Sequence, residues 1–132
     1  MARKSVLLAE DEDGIAIALE YLIAREGYDT RRVADGEAAM KALEEAPPDL
    51  VVLDVMLPHR SGYEICQSIR RDEDLKDVKV LMMTARGGEV ERRKGLALGA
   101  DAFLTKPFAT ADLTAQIRAL LGGEGGCMND SG

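Results

Sequence analysis

The chain has 132 residues, 46% apolar and 31% charged, with a net charge of −7. That length suits one domain with its own core, and the acidic balance argues against general nucleic-acid binding. No run approaches the ~18 apolar residues of a membrane span. The opening Met-Ala-Arg-Lys-Ser runs straight into a strand, so no signal peptide is expected, and Cys66 and Cys127 are not expected to form a disulfide framework. A reducing, cytoplasmic setting is expected. With aromatics at 4% and no Trp, the core must be built from Leu, Val, Ile, Ala and Met.

In chain order, Ser5 to Ala9 is a short β-type run, followed at once by the acidic Glu10-Asp11-Glu12-Asp13. From Gly14 to Arg25, apolar residues recur at Ile15, Ala18, Leu19, Leu22 and Ile23, which is helical spacing. Asp13 or a neighbour is expected to cap this helix, whose positive end suits the acids, and Gly27 closes it. Tyr28 to Val33 reads as a second strand, polar enough to sit at an edge. Asp35-Gly36 is a turn and cap for a helix over Glu37 to Glu44, stopped by Pro47-Pro48.

Leu50 to Leu53 is a run of large apolar residues suited to a strand buried on both faces, and Asp54 ends it. After Pro58, Ser61-Gly-Tyr-Glu64 fits a capping box, opening a helix to about Arg71 that buries Ile65, Cys66 and Ile69. Val78 to Thr84 is a fourth strand, and Gly87-Gly88 marks a mobile turn. Glu89 to Leu98 is a weaker helix, expected to be interrupted by Gly95. Ala102 to Thr105 is a fifth strand, ended by Lys106-Pro107, and Thr110 to Leu121 is a last amphipathic helix. One domain over residues 1–122 is expected, with the Gly-rich 123–132 a disordered tail or the start of a linker.

Strand and helix alternate five times, which argues for an α/β fold with one parallel sheet and helices on both faces. Open parallel sheets bind ligands at the carboxyl ends of their strands, and polar residues fall at four of the five ends. These are Glu10 and Asp11, then Asp54, Thr84 and Lys106. Clustered carboxylates need a cation, and oxygen-only ligands point to a hard ion such as Mg²⁺. A carboxylate beside that ion can act as a nucleophile toward phosphorus. The ion and a lysine would neutralise charge on the transferring group, and a threonine hydroxyl could bond one of its oxygens. No Gly-x-x-x-x-Gly-Lys loop supports nucleotide binding of the P-loop kind.

Four pieces together resemble the receiver domain of two-component response regulators, over about Lys4 to Leu121. They are Val-Leu-Leu-Ala-Glu-Asp-Glu (6–12), Leu-Asp-Val-Met-Leu-Pro (53–58) with Gly62, Met-Thr-Ala (83–85), and Gly-Ala-Asp-Ala-Phe-Leu-Thr-Lys-Pro-Phe (99–108). The resemblance implies a flavodoxin-like sheet of strand order 2-1-3-4-5, which puts Asp11 next to Asp54. It implies that Asp54 accepts a phosphoryl group from a histidine kinase or histidine phosphotransfer protein. Mg²⁺ would be held by Asp11 directly, by Glu10 through water (the family more often has Asp there), by Asp54 and by the Met56 carbonyl. Thr84 and Lys106 would contact the phosphoryl group, and Lys106-Pro107 would be cis.

Thr84 and Phe103 would form the switch, rearranging the fourth helix, fifth strand and fifth helix for a downstream target or fused output domain. A plain core role for Phe103 stays open. Such a domain is no enzyme beyond its own phosphorylation and slow dephosphorylation. By the same resemblance, Met56 and Arg86 would flank the path of a hydrolytic water, and neither suits activating it. Asp101-Ala102-Phe103 and Gln116 depart from the pairing residues of winged-helix regulators, so a monomer or weak dimer is expected. Two alternatives stand beside this reading. A Mg²⁺-dependent phosphohydrolase of the haloacid dehalogenase type needs an Asp where Met56 stands; a purely structural module would not need Asp11, Asp54, Thr84 and Lys106. His59, the only histidine, and Arg92-Arg93-Lys94 are expected to be solvated surface.

Overall fold

The computed structural model describes residues 4–85 and 88–122. Five strands, β1 (Ser5–Ala9), β2 (Asp29–Val33), β3 (Leu50–Asp54), β4 (Lys79–Thr84) and β5 (Ala102–Thr105), alternate with five helices. The helices are α1 (Asp13–Arg25), α2 (Gly36–Glu45), α3 (Gly62–Arg71), α4 (Glu89–Ala97) and α5 (Thr110–Leu120). All strand pairs are parallel, in the order β2-β1-β3-β4-β5. β3 lies in the centre and is buried throughout, as its unbroken apolar run requires.

Alternation along the strands divides the core into two layers. Leu7, Val51, Leu53, Val80 and Met82 pack with residues of α2 and α3, whereas Val6, Leu8, Val52, Leu81 and Met83 pack under α1 and α5. β2 takes the edge, where its polar residues meet solvent. At the amino ends of β4 and β5, Arg70 of α3 donates to the carbonyls of Lys76, Val78 and Gly99 and pairs with Asp101 at 2.7 Å. That end of the sheet is a structural brace, and the opposite end is left for chemistry.

Local signals account for most element boundaries. Asp35 caps α2, its carboxylate accepting from the Ala38 amide at 2.8 Å. The capping box forms as expected between Ser61 and Glu64. The Lys106-Pro107 bond is cis. Two expectations are corrected. α1 starts at Asp13 behind Glu12, and no side chain caps it. The Asp13 carboxylate is drawn instead to Arg32 at 3.0 Å. Gly95 does not interrupt α4; it is buried inside it. A Cβ there would lie 3.0 Å from Phe103 Cδ2 and 3.1 Å from Met82 Sδ, so the missing side chain lets α4 lie down on the sheet. Arg86, Gly87, Cys127 and the 123–132 tail lie outside the described residues. Among the described residues, no helix is long and apolar enough to cross a membrane.

Candidate functional site

The expected residues converge at the carboxyl edge of the sheet. β1 runs directly into Glu10 and Asp11, and its Ala9 pairs with Leu53 of β3, so Asp54 lies one step along the neighbouring strand. Asp54 pairs with Met83 of β4, which brings Thr84 to the same edge. Thr84 pairs with Thr105 of β5, and Lys106 follows, its amide donating to the Thr84 carbonyl at 2.7 Å. The parallel register thus delivers five side chains from the ends of four strands to one rim.

The Lys106 ammonium sits at the centre, 2.8 Å from Glu10 Oε1 and 3.0 Å from Asp54 Oδ2. Both acids are buried, Glu10 at 0% exposure and Asp54 at 5%. Each has its other oxygen fixed by a backbone amide. Glu12 N donates to Glu10 Oε2 at 3.1 Å and Met56 N donates to Asp54 Oδ1 at 3.0 Å. Burial pushes the Glu10 carboxyl above its ordinary 4.5, and the Asp54 charge adds to this, while Lys106 and the Glu12 amide work against it. Burial alone would pull the Lys106 ammonium down. Its hydrogen bonds to Glu10 and Asp54 and their charges outweigh that, leaving it above 10.5.

Glu10, Asp11 and Asp54 each offer a carboxylate oxygen within 4.8 Å of the others. Three hard oxygens at that spacing, two on buried residues, are a donor set that fits a divalent cation such as Mg²⁺. Asp11 is the exposed member and opens the cluster to solvent. The Met56 side chain points outward, 59% exposed, so only its backbone takes part in this pocket. Thr84 is buried at the rim. Phe103 packs on the α2–α3 side of the sheet, in the slot left by Gly95. His59 is exposed, with a positive φ of 68°, and Arg92, Arg93 and Lys94 are exposed on α4, both as expected.

Three features at the site and on the helices around it were not foreseen. Gly62, already part of the quoted motif, lies so close to the acceptor strand that a Cβ would come 2.6 Å from the Asp54 carbonyl oxygen. Tyr63 of α3 donates its hydroxyl to Glu91 of α4, and the Lys94 ammonium lies 4.4 Å from its ring centroid. Arg32 of β2 donates to the Glu10 carbonyl at 3.0 Å. The first was signalled by a glycine at a strand–helix turn. The other two depend on long side chains reaching across elements, which no local pattern reports.

Fold and rim together define a doubly wound α/β domain with an acid–lysine pocket at its strand ends. The chain belongs to the response regulator receiver domain family, whose sequence model matches residues 6–118. It is 42% identical over 118 residues to the alkaline phosphatase synthesis transcriptional regulatory protein PhoP of Bacillus subtilis (strain 168). That match covers 89% of this chain and 48% of PhoP, so the chain spans about half the length of this curated relative. Among solved structures it is similar to the chemotaxis protein CheY4 of Vibrio cholerae, with a TM-score of 0.84 and 28% identity over 91% of this chain and 100% of that one. It is also similar to the receiver domain of the sensor histidine kinase PA1611 of Pseudomonas aeruginosa PAO1, solved with magnesium in its active-site cleft. There the TM-score is 0.83 and the identity 30%, covering 92% and 99% of the two chains.

Proposed function

We propose that this domain is a phosphorylation switch in which Asp54 accepts a phosphoryl group from a phosphohistidine on a histidine kinase or phosphotransfer protein. In the transfer, the phosphorus–nitrogen bond of the donor breaks and a phosphorus–oxygen bond to the Asp54 carboxylate forms, the imidazole leaving with its electron pair. The observation that carries the reading is the convergence of Asp54, Glu10 and Lys106 on shared hydrogen bonds within one buried rim, with Asp11 beside them. The Met56 amide orients the Asp54 carboxylate, and the Lys106 ammonium stands where charge would collect on the incoming group. The Thr84 hydroxyl, from the next strand, would take one phosphoryl oxygen.

Mg²⁺, held by Asp11, Glu10 and Asp54 with the Met56 carbonyl, would supply charge neutralisation between the acceptor carboxylate and the phosphoryl oxygens. Drawing Thr84 toward the phosphoryl group would open space beside β4 for Phe103, and α4, β5 and α5 would signal to a downstream target or fused output domain. The domain acts in this reading as a cytoplasmic signalling module with no catalytic turnover of other substrates.

Incubating the full chain with acetyl phosphate, with and without Mg²⁺, and measuring intact mass tests the proposal. One phosphoryl adduct that needs Mg²⁺ is expected. An unmodified mass under both conditions would refute it, and turnover of acetyl phosphate without an adduct would favour a phosphohydrolase.

A further inference from the structure

β2 is the polar edge strand, yet one of its arginines is turned toward the site. Arg32 pairs in register with Leu8, two residues before Glu10. Its Nε donates to the Glu10 carbonyl oxygen at 3.0 Å. Its Nη2 lies 3.0 Å from Asp13 Oδ1. Nη2 is shut off from solvent and makes no well-aligned hydrogen bond, so the contact with Asp13 is an ion pair rather than a linear bond. One guanidinium therefore grips the run Glu10–Asp13 at its first and last residues, and Asp11 lies between them.

The same run is tied from inside. Glu10 N donates to the Val33 carbonyl at 3.1 Å, and Glu12 N donates to Glu10 Oε2 at 3.1 Å. With Lys106 on Oε1 and Arg32 on the carbonyl, the backbone groups of Glu10 and both its carboxylate oxygens are engaged. Asp11 is exposed, and its place is set by the backbone on either side of it. Were Arg32 only a surface partner of Asp13, which is 83% exposed, solvent would screen the pair and it would contribute nothing to the site. The bond to the Glu10 main chain makes the difference, because it anchors the residue that carries a buried carboxylate of the cluster.

We propose that Arg32 is a positioning residue for the cation site: it holds the Glu10–Asp13 run so that the Asp11 carboxylate meets Glu10 and Asp54 without reorganisation. This rests on the reading of the pocket as a Mg²⁺ site. Two effects of opposite sign compete. The charge of Arg32 repels a cation and would weaken binding, whereas its grip pre-organises the ligands and strengthens binding. Solvent and salt screen a charge at the edge of an open cluster, while loss of an outer-shell partner costs a metal site about 10–100-fold in affinity. Positioning should win.

The test is Mg²⁺ titration of the full chain by calorimetry, without any phosphodonor, on the parent, Arg32→Ala and Arg32→Lys. Lysine keeps the charge but cannot span the Glu10 carbonyl and the Asp13 carboxylate together. Both variants should bind Mg²⁺ about tenfold more weakly than the parent. A lysine variant equal to the parent, or an alanine variant that binds as well or better, would overturn the proposal and leave Arg32 as a charge or a surface contact. If Arg32→Ala fails to fold, Arg32→Lys decides alone. A parent that binds no Mg²⁺ would overturn the underlying reading of the pocket and this inference with it.

Discussion

Replacing Lys106 by Met removes the ammonium but keeps an apolar side chain of similar length. The variant leaves Glu10, which is wholly buried, without its cation, and takes one partner from Asp54. Breaking a buried ion pair from one side costs about 3–5 kcal/mol. The lower end applies here, because the Glu12 and Met56 amides stay on the two carboxylates. About 3 kcal/mol corresponds to a fall of about 10 °C in melting temperature for a domain of this size. The loss should shrink on acidification. A carboxyl whose folded pKa is raised, as Glu10's is, stabilises the fold below its unfolded value and loses that contribution as pH climbs through the folded one. Without Lys106 the folded value rises further, so the variant should recover toward the parent between pH 7 and 5. Mg²⁺ should stabilise the variant more than the parent, since it meets three carboxylates and no competing ammonium. Thermal melts by circular dichroism at both pH values, with and without Mg²⁺, measure all three. A variant melting within about 2 °C of the parent at pH 7 without divalent cation would refute the reasoning.

Gly62→Ala and Gly14→Ala make the same chemical change with opposite expected signs. At Gly62 the new Cβ would strike the Asp54 carbonyl, so urea unfolding should show a loss of about 1–3 kcal/mol, whereas open space around Gly14 in α1 allows a gain of up to about 1 kcal/mol; equal signs would contradict the packing. Burial and the hydrogen bond to Glu91 push the Tyr63 phenol up to about 12. Its contribution is present below the unfolded value near 10 and lost from there to 12, so the parent should lose stability across that window more steeply than Tyr63→Phe, and parallel curves would contradict the contact. Met56 stands two residues after Asp54 with its side chain exposed, and a thioether can neither orient a water nor take its proton. Met56→Asn should shorten the lifetime of the phosphorylated protein after donor removal, and an unchanged or longer lifetime would remove this side chain from control of hydrolysis.

What could be read from residues alone was what depends on periodicity and on strand ends. The apolar run at Leu50–Leu53 marked β3 as a strand buried on both faces, the polarity of Tyr28–Val33 placed β2 at an edge, and the polar residues after four strands marked the rim, while the strand order came from the resemblance. Gly95 was misread because propensity treats glycine as a helix breaker, whereas here tertiary contact with Phe103 and Met82 needs the missing Cβ. The cap of α1 was misplaced because Asp13 had a competitor, Arg32, that is 19 positions away in sequence and next to it only once β1 and β2 pair. The burial of Glu10 was not visible either. An acidic run reads as solvated, whereas Glu10 is wholly buried at the strand ends, held by Lys106, the Glu12 amide and Arg32.

In the proposed switch Asp54 is the acceptor. The most direct measurement is to phosphorylate the full chain with acetyl phosphate and Mg²⁺, reduce the acyl phosphate with borohydride, and map the peptides by mass. Reduction should convert residue 54 alone to homoserine, and the same treatment of Asp54→Asn should leave every peptide unchanged. Homoserine at position 11, or an adduct that persists in Asp54→Asn, would contradict the account.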